Sequence, residues 1–211
     1  GNACTSVGVD IEKGQNSIYE VLLGESTIEE ATYPSVLRNL DVVPSTADLA
    51  GAEIDLVYVE NRENILKEAL SVIKDKYDFI FIDCPPTLGL LTVNALTASD
   101  SIIVPIQCEY FPLIGVGQLM NTVRLIKMHL NPEIEIEGVV LTMKDNRSNL
   151  VNQVADEIKK YFGEKVYSTC IPRNVRLAES PSHGKPILLY DSKSKGAIAY
   201  KALSEEFIKR Q

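Results

Sequence analysis

The chain has 211 residues, of which 45% are hydrophobic, and its formal net charge is -8 at pH 7. These values are typical of a globular core and favour one large domain over two small ones. The longest apolar runs, 79–82 and 101–106, are far shorter than the roughly 20 residues that cross a membrane, and no secretory signal opens the chain. We therefore expect a cytoplasmic protein. The four cysteines form no CxxC pair, which argues against a zinc site or a disulfide framework.

Short β-rich runs alternate with segments of helical spacing from about residue 38 onward. Two of these runs, FIFID and SIIVPI, are almost wholly apolar, as expected of strands covered by helices on both faces. The pattern predicts an α/β fold, a mostly parallel sheet with helices on both faces, in a single domain spanning 1–211. A Pro- and Gly-rich stretch, 172–186, is predicted to be a loop. In chain order, the predicted strands are 40–43, 78–83, 101–106, 134–143 and 166–171, and the predicted helices are 65–73, 119–130, 148–162 and 197–209.

The acidic net charge conceals a basic C-terminal segment. Residues 1–170 carry 13 Lys and Arg against 25 Asp and Glu, whereas residues 171–211 carry 8 against 4. Because Lys and Arg contacts with phosphate supply most of the affinity for DNA, DNA contact is expected at this end. A solvated helix surface is the alternative and the more common case.

Chemistry in a parallel sheet is expected at the carboxyl ends of the strands. Asp83 closes the apolar run FIFID and precedes Cys84, Pro85 and Pro86. This is the form of a Walker B element, whose carboxylate holds Mg²⁺, although a turn or a helix cap would also explain an Asp here. The two prolines restrict the loop to one shape.

Three blocks of the sequence resemble the ParA/Soj partition ATPases, in the same order and over nearly the whole chain. They are YDFIFIDCPPTLGLLTVNALTASDSIIVPIQCEY, GVVLTMKDNRSNLVNQV and IPRNVRLAESPSHGKPILLYDSKSKG. Relatives with the same deviant Walker A loop include MinD and nitrogenase iron protein. MinD ends in a membrane-binding amphipathic helix, whereas the final SEEFIKRQ alternates charges without a broad apolar face. A MinD-like positioning ATPase is therefore the less favoured alternative.

The resemblance implies a P-loop ATPase of the deviant Walker A class that forms a homodimer around ATP and Mg²⁺. In that state the family binds DNA nonspecifically at the nucleoid, and a ParB/Spo0J-type centromere-binding partner stimulates hydrolysis. No membrane is involved. By position, Asp83 would be the catalytic residue that holds Mg²⁺ through water, and 84–89 would be the second switch.

The resemblance also implies two groups of binding residues. By position, the adenine base would meet Met143, Pro172 and Asn174, and DNA would meet Arg176, Lys193 and Lys195. The family commonly has arginine at the positions of the two lysines, so the DNA contact would be weakened.

Each of these residues has a structural alternative. Pro172 and Asn174 could form a turn, and Met143 could lie in the core. Arg176 could pair with Glu179, three residues further along a helix. His129 and His183 are expected to have structural roles, since no nucleophile or metal ligand lies at a suitable spacing.

Residues 1–211 contain no Gly-rich loop with lysines of the kind that cradles phosphates. We expect the sequence to be a fragment of a longer ATPase; a truncated gene and a protein that has lost tight ATP binding are the alternatives. Residues 1–211 alone are then expected to bind ATP weakly or not at all. A noncatalytic DNA- and partner-binding protein stays open, and an unrelated Rossmann-like enzyme is disfavoured because no GxGxxG follows a strand.

Overall fold

A computed structural model of the chain describes residues 2–9, 15–85, 87, 89–108, 112–144 and 149–211. The chain divides into two compact units, Gly1–Asp100 with Leu125–Ile134 and Ser101–Arg124 with Glu135–Gln211. That the whole chain is one domain stays a prediction.

The secondary structure of the described residues is mainly helical, with short strands. The helices are α1 (Asn2–Ser6), α2 (Ile18–Leu22), α3 (Leu49–Asp55), α4 (Ile65–Ser71), α5 (Leu90–Ala98), α6 (Pro112–His129), α7 (Asn149–Phe162), α8 (Val175–Glu179), α9 (Ile187–Tyr190) and α10 (Lys195–Arg210). Short 3-10 turns lie at Leu56–Tyr58, Lys74–Lys76, Gly163–Lys165 and Ser180–His183. The strands are β1 (Tyr33–Pro34), β2 (Asp41–Val42), β3 (Ser101–Gln107) and β4 (Glu135–Thr142).

Strands β3 and β4 form the parallel pair at the centre of the second unit. Their register runs from Ser101 opposite Glu135 to Gln107 opposite Thr142. The segment 166–171, predicted as a strand, continues this sheet in part. It runs parallel to β4, with a bridge from Val139 to Val166 and a hydrogen bond of 2.8 Å from the Ile171 N–H to the Leu141 carbonyl.

Helices pack on both faces of this pair. Successive side chains of β4 point to opposite faces, so each face has its own core contacts. On one side Val139 packs with Ile158 of α7. On the other, Val140 packs with Tyr167 and with Leu203 of α10. The predicted α/β fold, with a parallel sheet and helices on both faces, is confirmed here.

The predicted helices are found as α4, α6, α7 and α10. Helix α7 ends at Phe162, and Gly163 follows it with a left-handed φ of 58°, as its position after the helical pattern predicted. Helix α10 begins after Ser194, whose Oγ accepts a hydrogen bond from the Ala197 N–H at 3.1 Å.

One strand prediction and one loop prediction are wrong. No β-ladder includes residues 78–83 in the described part of the chain, and Phe81 is 72% exposed. An apolar run has strand propensity but becomes a strand only when a neighbouring segment supplies its hydrogen bonds. The strand predicted at 40–43 is found as β2, but it pairs antiparallel with β1 and does not join the parallel sheet. The predicted loop 172–186 contains α8 and a 3-10 turn.

The first unit has a core built by α2 to α5. Ala52 and Leu56 are fully buried there, together with Leu66. Asn94 joins two helices across this core: its Oδ1 accepts from the Leu66 N–H at 3.1 Å, and its Nδ2 donates to the Arg62 carbonyl at 2.8 Å. Among the residues placed by the structure, no helix has both the length and the apolar character needed to cross a membrane.

Glu206 of α10 is hydrogen-bonded to the extended segment 166–171, and its negative charge should stabilise the folded state. Its carboxylate accepts hydrogen bonds from the Ser168 N–H at 2.7 Å and the Thr169 N–H at 2.8 Å, and it pairs with Arg210 at 2.8 Å. Desolvation alone would raise the pKa of Glu206, but these donors outweigh it and lower the pKa to about 2. The ionised form is therefore favoured in the folded state.

Replacing Glu206 by Gln is expected to lower the free energy of unfolding by about 2 kcal/mol at neutral pH. Because the folded pKa lies below the ordinary value of 4.5, the contribution is present above about pH 4.5 and is lost as pH falls toward about 2. Urea denaturation at neutral and acidic pH should show the two proteins converging in acid. Glu205→Gln, at the exposed neighbouring position, is the control, and an equal loss in both variants would contradict the prediction.

Candidate functional site

The loop after Asp83 leads into helix α5. Asp83 is exposed, as the role of a metal-water ligand requires. Thr92, in the first turns of α5, donates its hydroxyl to the Thr87 carbonyl at 2.6 Å. Desolvation of the thiol, and then the Asp83 carboxylate, raise the pKa of Cys84. The loop that is predicted to be a switch is thus tied to the helix that follows it.

Gly89 is the N-cap of α5 and lies against Glu53 of α3. A Cβ at this position would overlap the Glu53 carboxylate, so a larger residue would have to displace that side chain. No pattern in the sequence indicates this contact, because the two residues lie far apart in the chain. A shift of α3 would therefore change the packing of Glu53 against Gly89, at the end of the loop after Asp83.

The three predicted adenine contacts lie at the carboxyl end of the parallel strands. Met143 follows β4 with a left-handed φ of 53° and is 44% exposed, so it is not a core residue. The next residue, Lys144, forms a parallel bridge with Pro172. The backbone therefore brings Met143 and Pro172 to neighbouring strand ends.

Asn174 joins this edge to the first predicted DNA contact. Its Oδ1 accepts a hydrogen bond from the Arg176 N–H at 2.9 Å, which makes it the N-cap of α8. The amide NH₂ of the same side chain is not used in this cap. Asn174 thus has a local structural role, but it caps a helix and does not form the turn proposed as the alternative.

Arg176 is held by two carboxylates. Its Nη1 lies 2.9 Å from Glu179 Oε2, and its Nε lies 3.5 Å from Asp191 Oδ2. Tyr190 donates its hydroxyl to the same Glu179 oxygen at 3.2 Å and stacks on His183 with ring centroids 4.9 Å apart. The ion pair with Glu179, the alternative to DNA contact, is formed, and a phosphate would have to compete with it.

The two predicted lysines occupy different surroundings. Lys193 is exposed, and its backbone N–H donates to Asp191 Oδ1 at 3.3 Å, which places it beside the Arg176 network. Lys195 lines a shallow depression of about 400 Å³ together with Lys144 and Pro172. The structure therefore brings Lys195 to the predicted adenine edge, and Lys193 to Arg176.

Sequence reasoning missed most of the network around Arg176. Tyr190 and Asp191 stand more than ten residues beyond Arg176, so helical spacing gives no hint of them. The basic composition of the segment is visible in the sequence, but the pairing of Arg176 with Asp191 is not. Within the ranges described above, no cluster of three or more His, Cys, Asp or Glu could hold a metal directly.

Comparison with known proteins finds a family model and several relatives. The model described as "AAA domain" matches residues 1–136. The sporulation initiation inhibitor protein Soj of Bacillus subtilis is 54% identical over 98% of this chain and 81% of its own length. The chromosome partitioning protein ParA of Myxococcus xanthus is 50% identical over 100% of this chain and 74% of its own length.

A solved structure shares the fold. The chain is similar to a crystal structure of cobyrinic acid a,c-diamide synthase from Mycobacterium smegmatis with bound ADP and magnesium. The TM-score is 0.81 and the sequences are 33% identical, over 96% of this chain and 75% of that one.

Proposed function

Because the chain belongs to the ParA/Soj family of chromosome-partitioning ATPases, we propose that it acts in DNA segregation as an ATP-dependent DNA-binding dimer. ATP binding would favour the dimer, and the dimer would bind DNA without sequence preference. A ParB-type partner would stimulate hydrolysis, and the protein would work at the nucleoid. The observation that carries the proposal is the identity of 54% to a Soj protein over almost the whole chain.

The residues present fit Mg²⁺ and a nucleotide base. An exposed carboxylate such as Asp83 can accept hydrogen bonds from the water shell that Mg²⁺ keeps in most protein sites. The exposed Met143 and the half-buried Pro172 supply apolar surface for a flat base, and the Asn174 amide supplies donors. Magnesium held by Asp83 would neutralise charge that develops on the transferred phosphate.

The Asp83 loop would report the state of the nucleotide to helix α5. Thr92 connects the loop to the helix through the bond to the Thr87 carbonyl, and Gly89 begins the helix against Glu53. A change in the loop would therefore move the α5 N-terminus and its contact with α3. This is the local event that a switch needs.

DNA contact is assigned to Arg176, Lys193 and Lys195. Support comes from the excess of Lys and Arg in residues 171–211, 8 against 4 acidic residues. Arg176 Nε lies 3.5 Å from Asp191 Oδ2, so a phosphate would have to compete with this carboxylate for Arg176.

Replacing Arg176, Lys193 and Lys195 together by Ala is expected to weaken DNA binding equally for all sequences. Each phosphate that the variant no longer neutralises should make the slope of log K against log salt shallower by about 0.9. The experiment is fluorescence anisotropy with duplex DNA over a range of salt, in the ATP-bound dimer of a protein that carries a phosphate-binding segment upstream of residue 1.

The matched control replaces Arg38, Lys67 and Lys159 by Ala. These residues are exposed, and their substitution removes the same positive charge from other parts of the chain. An equal change of slope in both triple variants would mean that net charge alone was measured. An unchanged slope in the Arg176 variant would move the DNA-binding surface elsewhere.

A further inference from the structure

The shallow depression of about 400 Å³ in the second unit lies beside the first turns of α10. Two lysines from distant parts of the chain line it, Lys144 after β4 and Lys195 at the start of α10. Of the three predicted adenine contacts, Pro172 lines the depression, whereas Met143 and Asn174 do not. The depression therefore adjoins the predicted adenine edge without coinciding with it.

The depression is cationic. In the described part of the chain, neither Lys144 nor Lys195 forms an ion pair with a carboxylate. The Lys144 ammonium donates to the Cys170 thiol, with 4.0 Å between Nζ and Sγ, and sulfur is a weak acceptor. Two ammonium groups that line one depression repel each other, and an anion bound beside both would relieve this repulsion.

The carboxylate of Glu206 is bound to other donors. It accepts hydrogen bonds from the Ser168 and Thr169 N–H groups at 2.7 and 2.8 Å, and it pairs with Arg210 at 2.8 Å. Ser168 and Thr169 also line the depression, so Glu206 is attached to its wall through backbone amides. These three donors offset the negative charge of Glu206, which leaves the two lysines free to bind an anion from solution.

One wall of the depression is apolar. Ile198, Ala199 and Ala202 of α10 form it, and Ile198 is 59% exposed. A site with two cations beside an apolar wall is suited to a ligand that carries a phosphate next to an apolar group. The backbone of DNA has this pattern, because each phosphate is joined to a deoxyribose ring that presents carbon atoms to a bound protein.

We propose that this depression binds one phosphate of duplex DNA, and that Lys144 contacts DNA together with Lys195. Both ammonium groups would donate to the phosphate oxygens, and Ile198 would pack against the adjoining deoxyribose. The inference rests on the proposed DNA binding. It extends that binding to a residue outside the basic segment 171–211.

Lys144 has less to lose than Arg176 when a phosphate binds. Arg176 has the carboxylates of Glu179 and Asp191 at 2.9 and 3.5 Å, and a phosphate would have to compete with both. The Lys144 ammonium gives up only its hydrogen bond to a thiol. Lys144→Ala is therefore expected to weaken DNA binding more than Arg176→Ala does.

The test is fluorescence anisotropy with duplex DNA over a range of salt, in the ATP-bound dimer of a protein that carries a phosphate-binding segment upstream of residue 1. Lys144→Ala is expected to make the slope of log K against log salt shallower by about 0.9, and to weaken binding several-fold at about 0.1 M salt. Lys144→Arg should keep the parental slope, because it keeps the charge.

Lys159→Ala is the matched control, because Lys159 is an exposed lysine of the same unit. Equal changes of slope in the Lys144 and Lys159 variants would overturn the proposal. The affinity of Lys144→Ala for a fluorescent ATP analogue should equal that of the parent. A fall in ATP affinity large enough to explain the loss of DNA binding would also overturn it.

The apolar wall is tested separately. Ile198→Ser should weaken DNA binding several-fold without changing the slope, because an apolar contact releases no counterions. Ile208→Ser is the control, since Ile208 is 62% exposed near the other end of the same helix. Equal losses in the two variants would contradict the contact between Ile198 and deoxyribose.

Failure of this inference can be told apart from failure of the proposed function. A parent protein that does not bind DNA would overturn both. For a parent that does bind, acetylation of lysines followed by mass spectrometry should show that DNA protects Lys144 and Lys195 but not Lys159. Acetylation of Lys144 at the same rate with and without DNA would overturn this inference alone. Circular dichroism verifies that each variant is folded.

Discussion

Replacing Asp83 by Ala is expected to reduce Mg²⁺-dependent ATP hydrolysis by at least about 100-fold, in a protein whose phosphate-binding segment precedes residue 1. The carboxylate is exposed at the end of an apolar segment, and it is followed by a loop tied to α5 through Thr92. A group that orients the water shell of the metal acts on the transition state, so turnover should fall more than ATP binding. Phosphate release measured over a range of Mg²⁺ concentrations tests this.

Asp78→Ala is the matched control, because Asp78 is an exposed Asp at the other end of the same apolar run. It should retain parental turnover. If the Asp83 variant also hydrolysed ATP at the parental rate, Asp83 would have only a structural role in the turn. Circular dichroism separates this outcome from a general loss of folding, since neither substitution removes a buried group.

The parallel pair and its covering helices were predictable from the sequence because their signals are local. SIIVPI is an apolar run that needs one hydrogen-bonding neighbour, and β4 provides it, with one register shift between Ile102 and Ile103. Helix α7 carries its apolar spacing within 149–162, and Gly163 follows directly in the sequence. Each prediction of this kind depends on residues a few positions apart.

The errors arose where structure depends on a distant segment. FIFID has the composition of a buried strand, but Phe79 and Phe81 are 46% and 72% exposed, because no ladder in the described residues includes them. Periodicity reports what a segment can form and says nothing about its partners. Similarly, the charge of Arg176 was evident, whereas its ion pair with Asp191 depends on the fold of the segment between them.

Close packing around Gly138 gives the second large expected effect. Gly138 lies in β4, and a Cβ there would overlap the ring of Tyr167 and lie 3.0 Å from the Lys165 carbonyl oxygen. The ring cannot easily move aside, because Tyr167 is fully buried and the Arg210 guanidinium lies 4.0 Å from its centroid on the ring face. Only glycine lets the ring cross the strand at this point.

Gly138→Ala is therefore expected to lower the free energy of unfolding by about 3 kcal/mol, the upper part of the range for an overpacked core. Gly115→Ala is the control, because a Cβ at this exposed position in α6 meets nothing within 4 Å. That substitution should stabilise the chain by up to about 1 kcal/mol, through helix propensity. Urea denaturation gives both values. Adding Tyr167→Leu should recover part of the loss at Gly138, since the smaller side chain leaves space for the Cβ, and a double variant with strictly additive losses would show that the ring is not the obstacle.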